Sequence, residues 1–546
     1  MNKVGKLELT WVGKYSQKKY EPRILIEHKE KSYGCSDTEN KLIHGDNLLA
    51  LKALENEYQG KIKCIYIDPP YNINAANGHY DDDIENSEWL SLMHERLQLL
   101  KNLMSDDGVI FVQIDKEQSA YLKVLMDEVF GRSNYVTTIA VRMSATSGFK
   151  IEHSDKTIVK NVEYIHVYSK KLTLQPIYEE AEYDTHYSSI LTEIEPGLFT
   201  MESLLKQEGV KELFAKFKLP CSSNNLPTLY KICEDFRKYV YDNRFRIGRT
   251  HTAPAATKMD EEFLRKILVE DTYVVKRVYN GEDYYIKRTI NGYNQYIPIS
   301  LKFNMVDSTN DYSLKLSNIL GDWWDGFYLD MGNVDNEGDV YFKNSKKPER
   351  LLFRIINNFT SEGEWVLDSF LGSGTTAAVA HKLNRKYIGI EMGEHCNSLC
   401  LPRLKNVVDG EQGGVSKFVD WKGGGGFKFY ELAEPLLVKN SVLPVYQINP
   451  LYTWEMVCEA ICKIEGFTYA PAGEFQGYSS ENRFIHITEE FVNTKYVMSV
   501  MKTLGERQSL LIYCKKNQAD MMLPENVEVK KIPKDLLEKC TFESEV

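Results

Sequence analysis

Between Lys41 and Tyr168 short β-rich runs alternate with helical ones. Lys61 to Ile67 reads as a strand, Trp89 to Met104 as a helix, Gly108 to Ile114 as a strand, Glu117 to Phe130 as a helix and Val162 to Tyr168 as a further strand. From about Leu172 to Asn344 that rhythm dissolves into polar, tyrosine-rich segments with basic clusters. It then resumes, with a helix over Pro348 to Phe359, a strand over Trp365 to Asp368, a helix over Thr375 to Leu383 and a strand over Tyr387 to Glu391. Parallel strands need a crossover between them, so this alternation demands an open α/β sheet of βαβ units, and the interruption reads as a domain inserted into it.

The 546 residues are 43% hydrophobic, enough for about three domains at ~100 to 200 residues each. The boundaries expected are an N-terminal extension over 1–40, two halves of the α/β domain over 41–171 and 345–410, the insertion over 172–344, a linker over 411–450 and a small C-terminal α/β domain over 451–546. Gly423 to Gly426 marks a flexible joint before that last domain. No internal repeat is visible. No run approaches the ~20 apolar residues of a membrane span and the first ten residues lack a secretory apolar stretch, so a cytoplasmic location is expected. Cys396/Cys400 and Cys458/Cys462 stand at helical spacing with no second ligand pair, which points to buried reduced thiols and no metal site. A net charge of −11 excludes a protein that coats nucleic acid through bulk charge, so any basic surface must be local.

Two motifs carry chemistry. Asp68-Pro69-Pro70-Tyr71 follows the apolar strand Cys64 to Ile67, where open parallel sheets hold their ligands. The Asp68 carboxylate and the Pro69 carbonyl can accept hydrogen bonds from an amine, Pro69 and Pro70 fix φ and hold both acceptors, and Tyr71 offers a flat face to a planar base. A proline-stiffened turn is the plainer alternative. The second motif, Val366 to Thr376, is a strand ending in a loop that opens a helix. Gly372 and Gly374 let backbone approach a ligand, and the helix start at Thr375 suits a carboxylate. It lacks the Lys-Ser or Lys-Thr of a phosphate loop and the third glycine of the dinucleotide fingerprint. Glu391 ends the next strand, where an acid can bind the two hydroxyls of a ribose.

Together and in this order, the motifs resemble the β group of the amino-methyltransferases, in which the catalytic motif precedes the cofactor loop; the resemblance runs from Lys41 to about Val408. It implies a Rossmann-like, S-adenosylmethionine-dependent fold with circularly permuted motif order and an inserted target-recognition domain. It implies that Asp368, Phe370, Gly372 and Gly374, with Thr375 behind them, hold the methionine part of the cofactor, that Glu391 binds its ribose, that Asp46 lies beside its adenine, and that Lys347-Pro348 opens the helix lining the same pocket, with Asp68 bordering both ligands. Gly108 to Asp115, Tyr121 to Gly131 and Trp421 to Phe427 resemble, more narrowly, the modification subunit of type III restriction-modification systems. Where many relatives carry tyrosine after the Glu391 strand, this chain has His395.

The resemblance further implies a homodimer that methylates the N6 amine of a flipped-out adenine in double-stranded DNA and can join an ATP-dependent restriction subunit. The alternatives are an orphan or other defence-system adenine methyltransferase, a cytosine N4 methyltransferase, or a DNA-recognition subunit without catalysis. Contacts to DNA are expected in the insertion, where basic and aromatic residues interleave: Arg237, Lys238, Arg244, Arg246 and Arg249 beside Phe245, and Lys276, Arg277, Lys287 and Arg288 among Tyr279, Tyr284 and Tyr285.

Overall fold

The computed structural model describes residues 8–15, 23–72, 85–145, 158–171, 175–252, 273–279, 281–289, 292–309, 311–340, 346–440, 443, 445–505 and 507–539. Two compact units emerge: residues 1–175 with 322–546, and residues 176–321.

The first unit is built on an eleven-stranded sheet. Its strands run, in spatial order, Leu25–Glu27, Gly426–Leu432, Lys41–His44, Lys386–Glu391, Trp365–Asp368, Ile62–Ile67, Met104–Ile114, Val162–Ser169, Tyr135–Arg142 and Trp323–Trp324, with Tyr33–Gly34 paired on Gly426–Leu432. The pairings from Gly426–Leu432 to Met104–Ile114 are all parallel, and Val162–Ser169 enters antiparallel between Met104–Ile114 and Tyr135–Arg142. Ile62–Ile67 is almost wholly buried, as befits a central strand covered by helices on both faces. This is the Rossmann-like α/β architecture expected.

Polar residues start the helices that the sequence pattern marks. Asp46 caps Asn47–Tyr58, Glu85 caps Asn86–Leu103 and Asp115 caps Lys116–Met126, each accepting a backbone N–H of the first turn. Helix Glu349–Phe359 follows Pro348, which fixes the entry φ, and its residues from Glu349 to Ile356 are all buried. The expected helix over Glu117 to Phe130 ends at Met126 and gives way to a π turn over Asp127–Gly131.

The chain reverses its direction of travel across the sheet between Trp365–Asp368 and Ile62–Ile67. From one strand the chain proceeds to Lys386–Glu391 on one side, from the other to Met104–Ile114 on the other side. Carboxyl ends of strands at such a switch leave a crevice, and both sequence motifs sit there. Val366 pairs with Cys64 and Leu367 with Ile65, so Asp368 ends its strand beside Tyr66, two residues short of Asp68.

Four expected boundaries are corrected. Residues 322–344, placed in the insertion, belong to the first unit, with Trp323–Trp324 pairing parallel to Tyr135–Arg142. The 411–450 linker contains a full strand of the main sheet, Gly426–Leu432. Gly423 to Gly426 is no flexible joint: a Cβ on Gly426 would meet Cys35 N at 2.4 Å, and Gly423, at φ +94°, lies against Val408 and Gly410. The 1–40 extension supplies Leu25–Glu27 to the sheet edge. Residues 451–546 do form their own five-stranded sheet, in the order Thr468–Ala472, Phe475–Ser480, Arg483–Val492, Ser509–Asn517, Val527–Lys531, but its core runs on into Ile24, Ala433, Leu436 and Leu437, which joins it to the same compact unit.

The second unit holds a closed six-stranded barrel, Leu198–Ser203, Tyr273–Tyr279, Glu282–Thr289, Gly292–Pro298, Ile247–Thr252 and Ser189–Glu195, closed back on the first. Closure removes exposed sheet edges. Gly248 is required where two strands approach, since a Cβ there would lie 2.5 Å from the Tyr296 ring. Among the described residues no helix is long and apolar enough to cross a membrane.

Candidate active site

Asp68 leaves the sheet at the switch point, and the chain turns at once. The Pro70 carbonyl accepts from the indole N–H of Trp89 at 2.9 Å, so the loop is anchored to a fully buried side chain of helix Asn86–Leu103. Tyr71 is half-buried and packs on the sheet core, and its hydroxyl bridges two carboxylates, 2.7 Å from Asp68 Oδ1 and 2.9 Å from Glu163 Oε2. Lys347 Nζ stands 2.9 Å from Asp68 Oδ2 and 3.2 Å from Glu163 Oε2, and donates to the Tyr71 hydroxyl at 2.9 Å. Gln113 donates to Glu163 at 2.6 Å and accepts from Tyr66 at 2.7 Å, completing a chain of polar contacts across three adjacent strands.

Burial pushes the Asp68 carboxyl up, the Lys347 ammonium opposes this, and the Glu163 charge reinforces it. Burial also works against Glu163, but Lys347 and the hydrogen bonds from Gln113 and Tyr71 outweigh it and hold that carboxyl below its usual range. Burial disfavours the Lys347 charge in turn, yet the two carboxylates prevail and keep it firmly protonated. A half-buried pair of carboxylates held by one cation is therefore what Asp68 and Glu163 present. The Asp68 carboxylate, expected as an acceptor, is engaged here by the Tyr71 hydroxyl and the Lys347 ammonium.

On the neighbouring strand the Asp368 carboxylate accepts from the Phe370 N–H at 2.9 Å and from the Thr376 hydroxyl at 2.5 Å. It thus folds the glycine loop back onto the helix that follows. Burial drives its carboxyl up to about 7, with Asp68 and Glu391 adding to the rise and the two hydrogen bonds opposing it. Gly372 and Gly374 adopt φ of +57° and +83°, which L side chains avoid. Glu391 accepts from Gly372 N–H at 2.8 Å and Gly393 N–H at 2.9 Å, with His395 Nε2 at 3.1 Å. Burial raises the Glu391 carboxyl, but His395 and those N–H groups outweigh it and hold it low. His395 thus supports the acid of the neighbouring strand end. Asp46, after the next strand, caps its helix and pairs with Arg96 at 3.2 Å, while the adjacent Asn47 donates to the Ser369 carbonyl at 2.7 Å.

S-adenosylmethionine asks for acceptors for its ribose hydroxyls and amino group, for donors to its carboxylate, and for backbone without bulk. The residues fit. Glu391 ends its strand and Asp46 lies just beyond the end of the adjacent parallel one, Gly45 N–H bonding the Glu391 carbonyl at 3.0 Å; the helix opening at Thr375 presents N–H groups; and the buried Ser369 hydroxyl in the loop has no hydrogen-bond partner among the described residues.

Glu163, Gln113, Tyr66 and Trp89 were not marked by the sequence pattern. The one signal was an acid at the start of the alternating strand Val162–Ser169, which in an antiparallel strand between parallel neighbours aims at the switch point only once register is known.

In the second unit, the basic residues expected on DNA divide. Arg237 donates to the Tyr230 and Lys231 carbonyls and Arg246 to the Leu191 carbonyl at 2.9 Å and the Thr192 hydroxyl at 3.3 Å, both holding backbone. Arg244 stacks on Tyr241 and on the exposed Phe245, with its carbon centre 4.1 and 4.6 Å from the rings. Lys238 is exposed. Arg249 faces Asp184 at 3.7 Å and Lys276 pairs with Asp283 at 2.6 Å. Arg277 and Lys287 lie on the paired strands Tyr273–Tyr279 and Glu282–Thr289; the Arg288 side chain lies outside the described residues.

The sequence pattern of the N6/N4 family described as DNA methylase matches residues 62–399. The chain is 37% identical over 451 residues to the probable type III restriction-modification enzyme HindVI Mod subunit of Haemophilus influenzae, covering 77% of this chain and 58% of that protein. It is 26% identical over 444 residues to the EcoPI Mod subunit of Escherichia phage P1, covering 72% and 63%. It therefore spans less than two thirds of the length of these relatives. Among solved structures, M1.HpyAVI in complex with SAM aligns at TM-score 0.29 with 14% identity, over 67% of this chain and all of that one.

Proposed function

The chain belongs to the N6/N4 DNA methylase family, and on that premise we propose that it transfers a methyl group from S-adenosylmethionine to the N6 amine of an adenine flipped out of double-stranded DNA. The observation that carries this reading is the convergence of Asp68 and the Asp368 loop at one switch point of the sheet.

An exocyclic amine is a weak nucleophile because its lone pair is delocalised into the ring. In the proposed reaction the Asp68 carboxylate and the Pro69 carbonyl accept its two N–H groups, draw the nitrogen towards tetrahedral geometry and fix its direction of approach. Orientation of this kind can supply roughly 7 to 11 kcal/mol of the barrier. When bound, S-adenosylmethionine would supply the electrophilic methyl on a sulfonium and leave as a neutral thioether, and the proton that the methylated nitrogen sheds would pass along its hydrogen bond to Asp68 and on to water. Asp46, Ser369, Glu391 and the loop from Phe370 to Thr375 hold the cofactor. Extruding the base costs a few kcal/mol in stacking and pairing, and the Tyr71 ring replaces part of that stacking. Adenine rather than cytosine is favoured by Asp at position 68, through the family resemblance; the N4 amine of cytosine is the alternative the same family covers.

The names of the two relatives, both type III Mod subunits, favour a role as the modification subunit of a type III restriction-modification system; the recognition role, the homodimer and an ATP-dependent restriction subunit belong to the same proposal through the family resemblance alone. Target recognition is assigned to the second unit, with Lys238, Arg249 and the Arg244–Phe245 stack as its contacts. Charge reversal at Lys238 and Arg244 should weaken DNA binding several-fold in a fluorescence titration and leave S-adenosylmethionine affinity unchanged; unaltered DNA affinity would remove this assignment.

Expression in a methylation-free host followed by single-molecule sequencing tests the substrate. N6-methyladenine at one short sequence is expected. N4-methylcytosine would overturn adenine, and unmodified DNA from a host making folded protein would overturn DNA as the substrate of the chain acting alone.

A further inference from the structure

A single ammonium serves two carboxylates at this site. Lys347 Nζ is within 3.2 Å of both Asp68 and Glu163, and the Tyr71 hydroxyl joins the same two groups. Two carboxylates sharing a hydroxyl at this range cannot both stay ionised unless a cation balances them. With one proton between them, Asp68 would turn a donor towards the target amine, whose N–H groups need an acceptor.

We infer that Lys347 is a positioning residue that keeps Asp68 and Glu163 ionised together, with Glu163 as the second anchor to which the ammonium withdraws when an amine takes its place on Asp68. The inference rests on the amine-transfer reading given above. Its geometry also explains why a lysine, with one compact charge on a flexible stem, opens this helix: it can pivot between two acceptors, which a guanidinium fork does less readily. The other titratable groups facing the pair are Tyr71 and Tyr66, Asp368 on the adjacent strand, and Lys160, which acts on Glu163 but also pairs with Asp115. Neither tyrosine carries charge near neutral pH and Asp368, an acid itself, supplies no counter-charge, which leaves Lys347 as the cation in contact with both carboxylates.

The test is an infrared titration of the protein without substrate, in wild type, Lys347→Met, Lys347→Arg and the double variant Lys347→Met/Glu163→Gln, following the band of the protonated Asp68 carboxyl as the difference from the same protein carrying Asp68→Asn. The midpoint should rise by about one pH unit or more in Lys347→Met, fall back part of the way in the double variant because repulsion from Glu163 is gone, and stay near wild type in Lys347→Arg. The acid limb of single-turnover methyl transfer should move in the same order. A Lys347→Met midpoint equal to wild type, or a double variant no lower than Lys347→Met, overturns the inference, since loss of packing alone would lower the rate equally at every pH. Wild-type protein that binds S-adenosylmethionine but methylates no amine in DNA would count against the reaction, while the infrared midpoints still decide the role of Lys347.

Discussion

Two residues apart in sequence, Lys347 and Glu349 belong to two ion clusters of similar composition and opposite character. Around Lys347 stand Asp68, Glu163 and Tyr71, and the charged side chains keep 13 to 18% of their surface exposed. Around Glu349 stand Lys382 at 2.7 Å, Arg403 at 2.8 Å and, on Lys382, Glu411; the side chains of Glu349, Lys382 and Arg403 are completely buried. Arg403 continues to the Thr375 hydroxyl at 2.8 Å and the Ser373 carbonyl at 3.2 Å, so the buried cluster backs the glycine loop without opening to it. The same ingredients thus give a scaffold at Glu349, whose charged partners are completely buried, and at Lys347 a candidate site whose charged side chains keep some exposure. Access separates them, and so does balance: two carboxylates share one cation at Lys347, whereas two carboxylates face two cations at Glu349.

Substitution should expose that difference most sharply at Asp68. Asp68→Ala should lower the methylation rate by at least 10²–10³-fold in single turnover, with S-adenosylmethionine affinity largely kept and melting temperature little changed; wild-type turnover would break the comparison at its active end. Tyr71→Ala should also lose methylation. On the buried side Glu349→Ala should destabilise by about 3–5 kcal/mol in urea unfolding, because Lys382 and Arg403 lose their counter-charge in a dry interior. Lys382 and Arg403 hold the Glu349 carboxyl down to about 2 against burial. Its contribution is therefore present above the ordinary glutamate range and lost as pH falls through about 2, so the stability gap between wild type and Glu349→Gln should narrow steadily below about pH 4. A gap that widens in acid would show that Glu349 is not held as a charge.

Gly374→Ala should have the smallest effect. The nearest atoms to an added Cβ are 3.6 Å away, so the strain of φ +83° acts alone, at about 1–2 kcal/mol, with a matching loss of cofactor affinity of roughly tenfold by calorimetry. Unchanged affinity would mean that the loop does not need this conformation to bind.

How much of this the sequence disclosed follows from what each feature depends on. Periodicity placed the strands at Ile62–Ile67, Trp365–Asp368 and Lys386–Glu391 to within a residue or so, because each is a short apolar run closed by a motif. The Asp68 and Asp368 motifs were legible for the same reason. Glu163 and Gln113 were not, since their place at the site comes from strand register over long separations, and neither has a local pattern. The Gly423 to Gly426 run misled because glycine serves close packing as readily as flexibility; the backbone of Cys35, almost four hundred residues earlier, supplies the reason. Arg237 and Arg246 show a related limit: their guanidinium groups answer backbone carbonyls, of Tyr230 and Lys231 in helix Leu226–Ile232 and of Leu191 in the barrel, that no basic-aromatic pattern discloses.

On the proposed function the Asp68 site methylates an exocyclic amine of DNA. The direct measurement is to incubate wild type and Asp68→Ala with methyl-labelled S-adenosylmethionine and DNA from a methylation-free host, digest to nucleosides, and identify the labelled base. Label in N6-methyladenine from wild type and none from Asp68→Ala is the predicted result; label that persists in Asp68→Ala, or none from wild type with the cofactor bound, would contradict it.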